Sequence, residues 1–209
     1  MKNKVLMVLV IMLFTQIFLP ACTKTTSNMV SDFNDYVVEK VVKKYEDGDV
    51  RTTDIAIEYV YHGSFSRNNG NEIFVICKIL NTPHVAGLDK TVCVLLDADS
   101  LEIVAYKEFA ADKVEIRDIQ TSNGQKKILV LQTTTYQGIS TQEIHLFTIQ
   151  DGQWKDIPIE FLRDLNDEYF YFIEDDMIIV ASDTKLTSLK DIIAVLIWNP
   201  DTEQYVLVQ

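Results

Sequence analysis

From residue 52 onward the chain repeats itself. Four short runs rich in Ile, Val, Tyr, Phe and Thr, separated by turn residues, follow one another three times. Such runs are strand signals, because β-branched and aromatic side chains fit a pleated, half-buried surface. The first run of each unit covers residues 54–61, 113–120 and 167–174, and the second covers 72–80, 127–134 and 177–183. The third covers 91–96, 143–149 and 192–198, and the fourth covers 101–109, 154–161 and 204–208. The link between third and fourth runs fixes the register: Asp97-Ala98-Asp99-Ser100, Gln150-Asp151-Gly152-Gln153 and Pro200-Asp201-Thr202-Glu203 occupy one turn. Asp99, Asp151 and Asp201 align at spacings of 52 and 50 residues. Aspartate suits such a turn because its carboxylate accepts a nearby backbone N–H.

Within each unit the second run is almost continuously apolar, as in Ile128-Leu129-Val130-Leu131, which fits a strand covered on both faces. The first run alternates, as in Val114-Glu115-Ile116-Arg117, which fits a half-exposed strand. Four strands per unit at a period near 50 residues are the pattern of propeller blades. The expected fold is therefore mainly β: three four-stranded antiparallel propeller-blade-like units, at about 50–110, 111–163 and 164–209, preceded by one short helix. The alternative is a two-sheet β-sandwich of the same twelve strands. Propellers typically have about four to eight blades, so three units leave a ring open or completed by another copy.

These repeats resemble the FG-GAP blades of bacterial surface proteins. That family's calcium loop alternates Asp or Asn with Gly. Asp164-Leu165-Asn166-Asp167 supplies only a fragment and lacks the glycines, so the resemblance implies a blade-like architecture rather than a calcium site.

The N-terminal part follows other rules. Lys2 and Lys4 precede an uncharged run from Val5 to Pro20 that ends in Leu19-Pro20-Ala21-Cys22. A positive end, a short apolar run and a small-residue junction form the pattern of a secretory signal. The run is short of the about 20 apolar residues that a membrane span needs. With Leu19, Ala21 and Cys22 in place, it resembles a bacterial lipoprotein precursor; Pro20 is a less usual occupant of its position. The resemblance implies cleavage after Ala21, diacylglycerol on the Cys22 thiol, and a location on the outer face of a cell membrane. Residues 1–21 are then a signal peptide, 22–30 a polar tether, and 31–209 one β-repeat domain with an N-terminal helix. That helix is expected over 31–46, with Ser31 and Asp32 as N-cap candidates, an apolar stripe of Phe33, Val37, Val41 and Tyr45, and Gly48 as stop signal.

The net charge is −12, and loss of Lys2 and Lys4 with the signal leaves −14. Phosphate backbones repel such a domain, so nucleic acid is not an expected partner. No phosphate-cradling glycine loop, nucleophile elbow or paired zinc-ligand histidines occur, and His62, His84 and His145 are scattered. No cofactor is expected.

Several residues stand out against this background. Asp97, Asp99 and Glu102 gather three carboxylates at one turn, against the about six oxygens that calcium takes, and read first as a solvated turn. Glu174-Asp175-Asp176 and Glu46-Asp47-Gly48-Asp49 read as solvated acidic clusters. Cys77 aligns with Leu131 and Val180 and reads as a core filler, while a cross-strand disulfide with Cys93 is the alternative. His145 aligns with Cys93 and Val195 and reads as a hydrogen-bonded strand residue. Tyr59, Tyr61 and Phe65, with loop 63–71, and Tyr136 before the next hairpin, are the candidates for a binding surface, because unequal loops on a rigid sheet are where recognition sits.

The functional expectation is a non-enzymatic binding or assembly role at the cell envelope, with the membrane held through the lipid, a protein or glycan partner, and a homo-oligomer as an option. The alternative is an envelope enzyme, or a subunit of one, that acts on glycans through carboxylates.

Overall fold

The computed structural model describes residues 22–44, 54–80, 90–164, 169–185 and 188–208. The chain divides into two units between Thr52 and Thr53. In the first, helix α1 spans Cys22–Lys44. It begins nine residues before the start expected from the sequence, so Ser31 and Asp32 lie inside it rather than at its cap. Residues 22–30 contain neither Pro nor Gly, so nothing in them stops a helix from extending back towards Pro20. Of the expected apolar stripe, Val37 and Val41 are fully buried, while Lys43 and Lys44 close the last turn where cations suit the helix dipole. Among the described residues no helix is long and apolar enough to cross a membrane. Leu19, Pro20, Ala21, Tyr45, Gly48, the 46–49 acidic cluster, His84 and residues 165–167 lie outside the described residues.

The second unit is mainly β. The first sheet contains β1 (Ile55–Gly63), β2 (Glu72–Ile79), β3 (Lys90–Asp97) and β4 (Ile103–Phe109). The middle sheet contains β5 (Lys113–Gln120), β6 (Lys126–Tyr136), β7 (Ile139–Gln150) and β8 (Gln153–Ile157). The third contains β9 (Phe170–Glu174), β10 (Met177–Ala181), β11 (Ile192–Asn199) and β12 (Gln204–Leu207). In every sheet sequence neighbours pair antiparallel, giving three four-stranded meanders. Three sheets, not two, replace the sandwich alternative. Strand β8 stops at Ile157 and gives way to a 3₁₀ turn at Glu160–Asp164, because Pro158 cannot donate to a ladder.

The aligned turns between third and fourth strands use two local solutions. In the first sheet Asp97 Oδ1 accepts from the Asp99 and Ser100 amides at 3.1 and 3.0 Å. In the third, Asn199 Oδ1 accepts from the Asp201 and Thr202 amides at 3.0 and 3.2 Å. The capping residue is thus the one two positions before the aligned aspartate. In the middle sheet Asp151 and Gly152 both adopt positive φ, 51° and 73°, the pattern of a tight two-residue hairpin. A side chain at Gly152 would meet the Val104 carbonyl at 2.9 Å, so the third-to-fourth turn of the middle sheet closes only with glycine there.

Two buried clusters set the order of the sheets. One joins the first and middle sheets through Phe65, Phe74, Cys93, Phe109, Ile128 and Phe147. The other joins the opposite face of the middle sheet to the third through Leu129, Leu131, Leu146, Ile178, Val180 and Leu196. The middle sheet is therefore covered on both faces, which explains the unbroken apolar run of β6. Backbone links reinforce each seam. Lys126 N donates to Ser64 O at 2.7 Å across the first, and Ser122 N donates to Pro200 O at 3.1 Å across the second. The Trp198 indole N–H also reaches Gln120 O, at 2.8 Å.

Candidate functional site

The aromatic seam is not closed along its whole length. At the edges contributed by β1 and β5 a groove of about 290 Å³ opens, lined by Tyr59, Ile76, Val114, Ile116 and Arg117 among others. This is near the lower end of small-ligand pockets.

A bulge makes the groove. Along β1 the register to β2 slips between Ile57 and Tyr59: Ile57 pairs with Cys77, yet Tyr59 pairs with Ile76. Glu58 is the extra residue. Side chains alternate faces along a strand, so without the slip Tyr59 would lie opposite Val75 and point away from the middle sheet. With it, Tyr59 and Tyr61 share the face of Ile76 and Phe74, towards the middle sheet. Tyr59 is 58% exposed and its ring stacks on Tyr61 at 6.3 Å and 27°. Tyr61 is half-buried and packs in turn on Phe74 at 6.4 Å. Burial, and then the nearby Asp118 carboxylate, push the Tyr61 hydroxyl above its usual range, so it stays a neutral donor and acceptor.

The groove's charges are sorted. Lys78 pairs with Glu58 at 3.4 Å, and Lys113 with Glu115 at 2.7 Å. Arg117 is exposed; its Nη1 donates to the Ile116 carbonyl at 3.0 Å, and it has no carboxylate partner among the described residues. A guanidinium with most of its donors open, beside stacked phenols, can bind a planar anion bidentately while the rings take an apolar face.

The remaining candidates fall elsewhere. Phe65 is 0% exposed and packs on Phe74 at 5.2 Å, so it belongs to the core and not to a binding surface. Its loop turns inward because Glu72, buried at the start of β2, accepts from the Phe65 and Ser66 amides at 2.6 and 2.9 Å and from the Ser66 hydroxyl. Tyr136 is 64% exposed at the tip of the β6–β7 hairpin, beside the left-handed Gln137-Gly138 turn, and does not line the Tyr59 groove. Cys77 and Cys93 are free thiols. Cys77 pairs with Val92 and Cys93 with Ile76, which puts the two sulfurs on opposite faces of the sheet and out of reach of a disulfide. Asp97 is committed to its turn and to Arg67 at 2.9 Å. Hydrogen bonds from the Ser100 amide and hydroxyl hold its carboxyl below the usual range. Asp97, Asp99 and Glu102 do not form a metal site, and no cluster of three metal-binding side chains occurs among the described residues.

No known family model, curated protein or solved structure matches this chain. The site must speak through its own chemistry.

A second groove, of about 360 Å³, lies at the β7–β8 edge. His145 stands there between Glu143 at 3.5 Å and Asp156 at 3.7 Å, its ring stacked on Phe147 at 5.5 Å. Arg163 on its rim is held by Glu160 at 3.1 Å. Among the described residues no Ser, Thr or Cys lines it. The sequence named His145; of its two carboxylate neighbours Glu143 stands two residues back on the same strand, and only Asp156 comes from strand pairing. Arg117 was not singled out either. It is one of several charged residues in an alternating strand, and the groove that it lines depends on the β1 bulge, invisible in a run of strand formers.

Proposed function

We propose that this chain is a lipid-anchored, extracytoplasmic binding module without catalytic activity, its three sheets stacked as propeller-like blades, whose β1–β5 groove binds an acidic glycan of the cell envelope. The observation that carries the reading is the stacked Tyr59–Tyr61 pair, turned by the bulge into a groove that Arg117 also lines. Sugar rings present C–H faces that lie on aromatic rings and hydroxyls that seek donors and acceptors. A sugar carboxylate adds the anion for which a free guanidinium is suited. Glu58 and Glu115, the groove's acids, are in ion pairs, and the buried carboxylate Glu72 is used up in holding a loop. That leaves no evident general acid and base for glycan hydrolysis. The lipid attachment rests on the Leu19-Pro20-Ala21-Cys22 pattern, and a blade-like stack rests on consecutive meanders that cover each other face to face.

Titration calorimetry of the mature protein with uronic-acid oligosaccharides and with their neutral counterparts tests the groove. Tyr59→Ala and Arg117→Gln should each weaken binding of the acidic oligosaccharide about tenfold, the loss expected from about 1.4 kcal/mol. Binding that survives both substitutions, or no binding at all, rejects the groove as the site. Mass spectrometry of the membrane-extracted protein tests the anchor, which Cys22→Ala should abolish.

A further inference from the structure

The three sheets share two ends, and the ends differ. The seam bonds from Lys126 N to Ser64 O and from Ser122 N to Pro200 O bring turns of neighbouring sheets together at one end. Strands in a meander alternate in direction. The β6–β7 hairpin tip, the β10–β11 connection and the start of β1, where Ile55 pairs with Ile79, therefore lie at the other end. Exposed apolar side chains follow this division. Tyr136 and Ile139 pair across the hairpin tip and are 64% and 72% exposed, and Leu189 in the β10–β11 connection is 84% exposed. Among the described residues, no turn at the opposite end exposes a large hydrophobic side chain. Those turns carry Asp99, Asp151, Asp175, Asp176, Asp201 and Glu203. The hairpin arm, by contrast, has no charged residue between Lys127 and Glu143. Around Leu189, Asp183 and Asp191 are matched by Lys185 and Lys190. Strand β5 begins opposite Thr133, so Tyr136 stands three residues, about 10 Å, beyond it.

We infer that this end of the β domain rests on the lipid surface, with Tyr136, Ile139 and Leu189 among the headgroups. The inference rests on the proposed lipid anchor and adds a second contact to it. Three observations select lipid as the occupant. Strand β1 begins at this end, so the chain that leads from Cys22 joins the domain here. The acidic turns lie at the far end and are repelled by anionic headgroups, so the domain's own charge turns the neutral end towards a membrane. The side chains themselves suit the interface: a phenol sits at headgroup level with its hydroxyl in water, while isoleucine and leucine reach the acyl boundary. The contact needs little affinity. The lipid already confines the domain to the surface, so three side chains too weak to recruit a free protein can orient an anchored one.

The full chain, extracted from membranes and reconstituted in phosphatidylcholine vesicles, tests this. A nitrobenzoxadiazole label is attached in Ile139→Cys or Leu189→Cys, with Thr202→Cys at the acidic end as control; all three positions are exposed. Cys77 and Cys93 are buried, so the label goes to the new thiol. Lipids that carry a nitroxide on the acyl chain should quench the Ile139→Cys and Leu189→Cys labels several-fold more than the Thr202→Cys label. Adding Tyr136→Asp, at an exposed position that leaves folding intact, should lift the tip and cut the quenching of Ile139→Cys. Equal quenching at the three positions, or quenching unmoved by Tyr136→Asp, overturns the inference; diacylglycerol found on Cys22 by mass then leaves the anchor standing. Cys22 without lipid overturns both. Labels shielded from iodide but not quenched by nitroxide lipid also overturn the inference, because a second copy would then cover this end.

Discussion

The two seams of the β domain hold the same kinds of sheet together with different side chains. Between the first and middle sheets the contact is aromatic: Phe74, Phe109, Phe147 and Trp154 meet at centroid distances of 5.5 to 6.2 Å. Between the middle and third sheets aliphatic side chains predominate: Leu129, Leu131, Leu146, Ile178, Val180 and Leu196 are all at most 1% exposed, with Trp198 and Tyr205 as the buried aromatics. Rings set at angles leave wedges between them; branched aliphatic side chains interdigitate and close. Both seams open at an edge, the aromatic one into the Tyr59 groove and the other into the His145 groove, and the Lys127–Glu203 ion pair crosses the rim of the second. The proposed binding groove and the cluster with the more fully buried aliphatic side chains thus lie on different faces of the same middle sheet.

The largest expected effects test that division. Leu129→Ala in the aliphatic seam should cost about 2–5 kcal/mol, while Tyr59→Ala at the groove should stay within about 0.5 kcal/mol, both read from urea midpoints. Comparable losses would erase the distinction between the seams. The ion pair comes next. Lys127, with its side chain 5% exposed, meets Glu203 at 3.1 Å and also reaches Gln125 at 3.1 Å and Thr148 at 3.3 Å. Glu203→Gln strips the charge partner from a buried ammonium and should cost about 1–3 kcal/mol. Lys127→Met leaves its carboxylate free to turn into water and should be close to neutral. The reverse order would show that the lysine, not the glutamate, is the replaceable partner.

Much of this architecture is legible in the residues. All twelve strands fall on the sequence's runs of strand-forming residues, because turn residues separate the runs, whether a run alternates as in β5 or is continuously apolar as in β6. What the residues do not carry is what depends on another strand. Nothing around Phe65 distinguishes a loop aromatic that faces water from one drawn inward; the pull comes from Glu72, seven residues on, whose carboxylate takes two of the loop's amides. The pair Lys126-Lys127 reads as a polar strand start, yet Lys127 is buried once the third sheet delivers Glu203. The groove depends on a one-residue slip at Glu58, and a run of good strand formers looks the same with or without it. The helix start was missed for the opposite reason: polar residues read as a tether, although polarity alone does not end a helix.

Alkaline pH separates the two faces of the first sheet. Burial pushes the Cys77 thiol up to about 12 and that of Cys93 well above its usual value. The folded state therefore keeps protons that the unfolded chain releases. This stabilisation is complete below the unfolded value of about 8.5 and is lost as pH rises towards 12, by up to about 1.4 kcal/mol per pH unit for each thiol. Cys77 lies on the face turned away from the aromatic seam, and Val180 holds its aligned position in the third sheet. Cys77→Val should remove its share of the alkaline loss, seen as a shallower fall of the urea midpoint between pH 8.5 and pH 10. Cys93 should keep its own share. An unchanged slope would mean that Cys77 is open to water.

The smallest effect sharpens the aromatic side. Lys107 lies with its ammonium 5.4, 4.8 and 5.9 Å from the ring centroids of Phe109, Phe147 and Trp154. A cation there is attracted by all three ring faces, yet it is only half-buried and keeps water, so the gain is about 0.5–1 kcal/mol. Lys107→Gln should lose about that much, while Lys107→Arg, which stacks on rings at least as well, should restore it. The check is a pair of urea curves in low and high salt. A contact between charge and ring, partly shielded from solvent, should change little with ionic strength, whereas an exposed ion pair would fade. If Lys107→Gln loses nothing, the rings hold the seam by burial alone and the lysine is a passenger on it. The aromatic seam would then differ from its aliphatic counterpart in shape, not in the forces that close it.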